Sequence, residues 1–480
     1  MRLLNVHTLQ FKEFFDHQVP PYGILSHRWS DDEITFKDFR KGRRKEAAGY
    51  KKVLDFCAFV KKRKIFDLAS PSQERPDDVE DGDGQGGTPV NPIAEESLEW
   101  IWVDTMCINK QSSQELSEAI NSMFTWYQEA KECYVYMNDV APNASTPPYL
   151  FWNAFDSSEW FNRGWTLQEL LAPSTVVFCD RTWEVFGHLG TAADSEEYVE
   201  RVPGSGILGF PLNERISRIT GIQLEYLSHD LSVASATIAR RMSWAAHRQT
   251  TRLEDRAYSL MGLFDVNMPL LYGEGPKALL RLQEEIIKSS YDRSIFPWRY
   301  DNPDAESTGV LAPDVKCFQH CGDVIYKPSV LDRVPFAMSN LGLHIRLSGR
   351  ELDIGLPPGG YSRSKLFIAI LHGCVRELDG GRFGYMNLII LQCQHGWGPK
   401  SLRSRLNCLP HGAPEFGRLS ARLTGDTKET QLYIKVWGDR IRERERKRGD
   451  ACRECLEAER RIIGQLGLPR SVGAQPPRTE

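Results

Sequence analysis

Glu169 lies near the end of a short run, Asp156 to Pro173, that crowds carboxylates, an arginine and two tryptophans into a few turns (D-S-S-E-W-F-N-R-G-W-T-L-Q-E-L-L-A-P). Trp165 and Glu169 stand four residues apart, so on a helix they share one face, while Leu167, Leu170 and Leu171 turn towards a core. A carboxylate beside an indole, with Arg163 close by, has the makings of one wall of a site. The same residues fit a structural reading, because Thr166-x-x-Glu169 ahead of leucines has the pattern of a capping box.

Two further polar clusters stand where short apolar runs end. Val19 to Trp29 (V-P-P-Y-G-I-L-S-H-R-W) reads as a buried strand with Ser26, His27, Arg28 and Trp29 at its carboxyl end. Trp100 to Val103 reads as a second strand, followed by D-T-M-C-I-N-K, which contains Asp104, Cys107 and Asn109. In parallel α/β sheets ligands bind at the carboxyl ends of strands, so both positions matter. His27 and Arg28 read equally as a surface turn. Cys107 and His27 also have the residue types of a thiol nucleophile and its base, if the fold makes them neighbours.

The elements that must position these residues alternate. Tyr50, Val53, Leu54, Cys57 and Val60 recur with helical spacing, as do Leu116, Ile120, Met123, Phe124 and Tyr127. Cys133 to Met137 and Thr175 to Cys179 read as further strands. Strand, helix, strand, helix, strand, helix, strand predicts an α/β fold: a parallel sheet flanked by helices. Within it, about 67–97 turns to Pro, Gly, Asp, Glu and Ser and is expected to be a disordered insertion. Residues 191–298 read as helical, clearest at Ser232 to Trp244, Leu253 to Phe264 and Pro276 to Lys288. Beyond Trp298 short alternating runs predict a β-rich C-terminal domain over 299–437. Residues 438–480 read as a charged Arg/Glu helix and a frayed tail. The expected division is therefore 1–190, 191–298, 299–437 and 438–480.

Bulk properties narrow the function. A chain of 480 residues exceeds one ordinary core. A net charge of −4 and a pI near 6.3 do not advertise nucleic-acid or anionic-membrane binding. No apolar run approaches the roughly 20 residues that span a bilayer, so stable membrane insertion is not expected. Met1 to Asp16 is charged and lacks the apolar stretch of a signal peptide. Eleven scattered cysteines suit reduced thiols and a cytoplasmic location. Cys452-x-x-Cys455 and Cys317-x-x-x-Cys321 lack second pairs at zinc-site spacing, so no metal is expected.

Four blocks now stand in order: Y-G-I-L-S-H-R-W, W-V-D-T-M-C-I-N-K, F-N-R-G-W-T-L-Q-E-L-L-A-P and R-M-S-W-A-A-H-R-Q-T-T-R-L-E-D-R-A-Y-S-L-M-G-L-F-D-V-N-M-P-L-L-Y-G-E-G. Together they resemble the heterokaryon-incompatibility (HET) domain proteins of filamentous fungi. The first three are similar to the domain's own blocks, over roughly 20–180, and the fourth to the helical segment that follows in vegetative-incompatibility proteins. No G-x-x-x-x-G-K-[ST] loop or WD repeat is present. The resemblance implies a role in triggering cell death in self/non-self recognition. It implies partners of its own kind, through self-association or another incompatibility protein.

The resemblance also implies a fold similar to a divergent Toll/interleukin-receptor (TIR) domain. W-T-L-Q-E-L is similar to the TIR segment W-C-x-x-E-L, with Thr166 where cysteine is favoured. In NAD-cleaving TIR domains that glutamate is catalytic, which makes Glu169 the catalytic residue implied here. No cofactor is expected to be held tightly; NAD is the implied substrate. Cleaving the nicotinamide–ribose bond builds positive charge on the ribose, as glycoside hydrolysis does, and a carboxylate stabilises it. Arg163 would favour the ionised carboxylate. Trp165 or Trp29 would stack on a ring, and Ser26, His27, Arg28, Asp104 and Asn109 would contact ribose or phosphates. The same resemblance equally implies an adaptor that acts by homotypic association without chemistry.

Overall fold

The computed structural model describes residues 1–15, 18–63, 65–66, 95–142, 146–189, 210–298, 310–326 and 336–339, and the strands lying within 342–434. Most of the insertion expected at about 67–97 and all of 438–480 lie outside the described residues. The chain forms two compact units. One comprises Met1–Trp160 and Ala172–Leu212, the other Phe161–Leu171 and Asn213–Glu480.

The first unit is built on a sheet of eight strands. These are β1 (Arg2–Asn5), β2 (Phe11–Glu13), β3 (Tyr22–His27), β6 (Trp100–Trp102), β7 (Glu132–Tyr136), β8 (Val176–Cys179), β9 (Val185–Leu189) and β10 (Phe210–Pro211). Two short strands, β4 (Ile65–Phe66) and β5 (Glu95–Glu96), pair with each other on either side of the insertion. The sheet order is β10-β9-β8-β7-β3-β6-β1-β2. Its centre, β6-β3-β7-β8, is parallel throughout. The sequence anticipates these four strands. It does not anticipate the additions outside them: antiparallel β1 and β2 on one side, antiparallel β9 on the other.

Every residue of β3 and β8 is buried, as expected where helices cover both faces of a parallel sheet. The helices are α1 (Phe36–Arg40), α2 (Ala48–Lys62), α3 (Asp104–Cys107), α4 (Ser113–Glu129) and α5 (Pro148–Asp156). A capping box starts α1, where Thr35 accepts from the amide of Asp38 while the Asp38 carboxylate accepts from that of Thr35. The apolar stripe of α2 buries Val53, Phe56, Cys57 and Val60. Leu54, on the opposite side, is exposed. In chain order the four parallel strands lie second, first, third, fourth. Connections therefore depart in opposite directions from the carboxyl ends of β3 and β7, which makes that point a topological switch.

The second unit begins with a sixth helix, α6 (Thr166–Leu171), and continues through Asn213–Thr220, Leu224–Leu227, Ile238–Ala245, Asp255–Tyr258 and Lys277–Ser289. The continuous helix read over Leu253 to Phe264 is broken. A four-residue helix gives way to a tighter turn, Gly262–Phe264, which ends at Asp265 in the left-handed region (φ 53°). Beyond these helices β11 (Val324–Tyr326), β12 (Ala337–Ser339), β13 (Gly342–Asp353), β14 (Ser364–Leu378), β15 (Arg382–Cys393), β16 (Leu402–Ser404) and β17 (Lys428–Ile434) form an antiparallel sheet. The β-rich character read from alternation is present, and these strands group with the preceding helices in one compact unit.

Candidate functional site

At the carboxyl end of β3 the chain sets three ionisable groups, Glu33, Asp104 and Lys52, around one buried imidazole. His27 Nε2 lies 3.7 Å from Glu33 Oε1, and Nδ1 lies 3.9 Å from Asp104 Oδ1, both beyond hydrogen-bond reach. Among the described residues neither ring nitrogen has a hydrogen-bond partner, nor has the buried Glu33 Oε2. The Lys52 ammonium, from α2, bonds Glu33 Oε1, which also accepts from the Ser30 amide at 3.0 Å. Burial pushes His27 below the usual imidazole value and the Lys52 charge pushes the same way, while Glu33 and Asp104 oppose them. Burial also lowers Lys52. At Glu33 burial acts upward, but His27 and Lys52 outweigh it and hold the carboxyl below its ordinary range.

The neighbouring predicted residues divide. Trp29 is 44% exposed, donates from Nε1 to Asp104 Oδ2 at 2.8 Å, and carries the Lys110 ammonium 3.3 Å from its ring centroid. Ser26 is fully buried and accepts from the Trp160 indole at 2.8 Å, which ties it into the core. Arg28 is exposed. Asn109 takes part in a different arrangement: its amide donates to Glu115 Oε1 at 2.7 Å, and it lines a cavity with Arg2 and Phe36. The cluster therefore comprises His27, Trp29 and Asp104 from the sequence reading, with Glu33 and Lys52 added by the fold. Lys52 had a legible signal. It stands on the same helical face as Gly49, Val53 and Phe56, where a cation interrupts the apolar stripe.

Glu169, Trp165 and Arg163 belong to the second unit. All six residues of α6 are buried, including Glu169 and Gln168. Leu167, Leu170 and Leu171 face the core, as their spacing requires. Thr166 is already the first helical residue, not a cap preceding the helix. Its hydroxyl donates to the Arg163 carbonyl at 3.0 Å and accepts from Arg248 Nη1 at 2.8 Å. Arg248 is buried, and burial lowers its guanidinium to about 9 against the opposing pull of Glu169. A buried cation that acts on Glu169 thus comes from the fourth sequence block. Sequence reasoning, which paired Glu169 with Arg163, missed it. The Asp255 carboxylate accepts from the Tyr272 hydroxyl at 3.0 Å; burial raises its value, and Tyr272 and Trp165 oppose that rise.

Backbone pairing fixes this turn. Gly164 N donates to Gln249 O at 2.8 Å and Gln249 N donates to Asn162 O at 2.6 Å. A Cβ on Gly164 would lie 2.4 Å from Thr250 Cγ2, so only glycine permits this approach. The space beside Gly164, Arg248 and Ser259 is about 10 Å³, room for roughly one water.

The thiol reading of Cys107 does not suit the structure. Its sulfur accepts from the Val103 amide at 3.3 Å, and burial pushes the thiol up to about 12, where the nucleophilic thiolate is scarce. Cys317 and Cys321 are buried free thiols, and among the described residues no cluster of His, Cys, Asp and Glu has the makings of a metal site. Cys452 and Cys455 lie outside the described residues. No helix among the described residues is long and apolar enough to cross a membrane.

Comparison with known proteins agrees with the sequence blocks. Residues 90–149 match the family described as "Heterokaryon incompatibility protein (HET)", a stretch that includes β6, α3, α4 and β7. The chain is 37% identical over 317 residues to the vegetative incompatibility protein HET-E-1 of Podospora anserina. That alignment covers 64% of this chain and 19% of the relative, so the chain spans about a fifth of that protein's length. No solved structure matches. Over these stretches the chain is similar to the heterokaryon-incompatibility (HET) domain proteins of fungi.

Proposed function

We propose that this protein is an effector of heterokaryon incompatibility, which triggers cell death on self/non-self recognition through self-association or contact with another incompatibility protein. The observation that carries this reading is the likeness over 317 residues to a vegetative incompatibility protein. It extends well beyond the 90–149 stretch.

The chemistry proposed for it is cleavage of NAD at the nicotinamide–ribose bond, with Glu169 stabilising the positive charge that develops on the ribose. The W-T-L-Q-E-L segment supports this assignment. A second reading, a non-enzymatic adaptor acting by homotypic association, is favoured by a specific observation. The six residues of α6 are buried and Arg248, which faces Glu169, is bonded to Thr166, as in a structural ion network.

One experiment separates the two. The purified 480-residue chain, concentrated or artificially clustered, is incubated with NAD beside Glu169→Gln, and both are expressed in a fungal host. The enzymatic reading expects nicotinamide release and killing from the first and neither from the second, with circular dichroism unchanged. Killing by a folded Glu169→Gln protein, without nicotinamide release from either form, assigns the adaptor role.

A further inference from the structure

The first unit holds an open cavity of about 610 Å³, within the size range of small-molecule sites. Three of its lining residues are aromatic, Phe11, Phe36 and Phe39, beside the polar Gln10, Glu13 and Asn109. The Phe11 ring lies 5.4 Å from that of Phe36 and 5.5 Å from that of Phe39, and Phe36 itself is half-buried. Two guanidinium groups meet the same ring and differ in what they have left to offer. Arg2 lies 4.1 Å from the Phe36 centroid, but its terminal nitrogens are committed to Glu13, Glu115 and the Cys107 carbonyl. It contributes a rigid flat surface whose charge is already matched. Arg40 lies 5.9 Å from the same centroid, is exposed, and has no carboxylate partner among the described residues. Asn109, which also lines the cavity, offers a side-chain amide whose oxygen accepts from the Gln111 amide at 3.3 Å and whose NH2 can donate.

We propose that this cavity binds a purine nucleotide, with the base against Phe36 and the Arg2 plane, the phosphate at Arg40, and Asn109 reading a base edge or ribose hydroxyl. Aromatic and guanidinium planes are sequence-tolerant stacking partners for any base, and an unmatched guanidinium at the rim selects an anionic substituent. The loop that shapes the cavity carries a backbone cost consistent with a built site: Leu9, which also lines it, is held at φ 57° without being glycine. This site belongs to the first unit and is independent of any chemistry at Glu169, which lies in the second.

Isothermal titration of the 480-residue chain with 5′-AMP, adenosine and inorganic phosphate tests it. Saturable binding of 5′-AMP is expected, about tenfold weaker for adenosine and about tenfold weaker in Arg40→Glu, as loss of one charge-assisted contact implies. Phe36→Ala, with its fold checked by circular dichroism, should weaken AMP and adenosine alike. Glu169→Gln should leave AMP affinity unchanged, so an empty cavity and an inactive Glu169 give different results. The proposal is overturned by no saturable AMP binding at millimolar concentration, or by AMP affinity unchanged in Arg40→Glu and Phe36→Ala. Phosphate binding as tightly as AMP, or a single-stranded oligonucleotide binding where the mononucleotide does not, overturns it equally.

Discussion

Arg248 donates from Nη1 to the Thr166 hydroxyl at 2.8 Å and to the Arg163 carbonyl at 2.9 Å, joining the turn after Ile238–Ala245 to the segment that carries Glu169. Truncating it as Arg248→Ala should cost about 3 kcal/mol, because two hydrogen bonds vanish and Glu169 loses the buried cation that acts on it. Urea unfolding measures this. A loss below about 1 kcal/mol would remove Arg248 from the network.

A second buried pair lies in the first unit. Arg63 donates to Glu132 through Nε at 2.5 Å and Nη2 at 3.0 Å, with both side chains almost fully buried. Glu132→Ala strands the guanidinium and should destabilise by about 3–5 kcal/mol, whereas the double replacement Arg63→Met with Glu132→Leu should be close to neutral. Equal losses in the single and double variants would contradict this account.

Gly164 meets Thr250 so closely that its replacement has a steric rather than a chemical consequence. Gly164→Val should lower stability by about 1–3 kcal/mol, and trimming the neighbour as Thr250→Ser should recover part of it. Thermal denaturation of the two single variants and the double reads the coupling directly.

The imidazole of His27 gives a pH signature. It is held below its unfolded value of 6.5, so the unfolded chain takes up its proton first as pH falls. The stability it contributes is complete above about 6.5 and drains away as pH falls towards the lower folded value. The facing groups are Glu33, Asp104 and Lys52. Glu33, with its folded value held below 4.5, keeps its own contribution above that pH. His27→Gln should therefore flatten the decline in urea midpoint between neutral and mildly acidic pH. An unchanged slope would place the titration elsewhere.

Much of the first unit was legible because its signals are local. Y-G-I-L-S-H, C-Y-V-Y and V-V-F-C are continuous apolar runs of strand length, and the stripe through Val53, Phe56, Cys57 and Val60 has helical period. Arg2–Asn5 escaped because a four-residue run with two apolar positions matches no periodic pattern, and only pairing with Phe11–Glu13 and β6 makes it a strand. The helix over Leu253 to Phe264 was overcalled for a related reason. Periodicity continues through Gly262, but the helix stops at Tyr258 and only a tighter turn, Gly262–Phe264, follows before Asp265 in the left-handed region.

The candidate residues divide along the same line. Residue types and strand ends were enough to nominate His27, Asp104 and Trp29, since a polar residue after a buried run has few places to go. That Glu33 and Lys52 complete their surroundings, and that Arg248 acts on Glu169 from far along the chain, was settled only by tertiary packing. Sequence spacing constrains neighbours within a turn or a strand. The partner of a buried charge is chosen by burial itself, which makes an unpaired ion too costly and so selects whichever opposite charge the fold brings within reach.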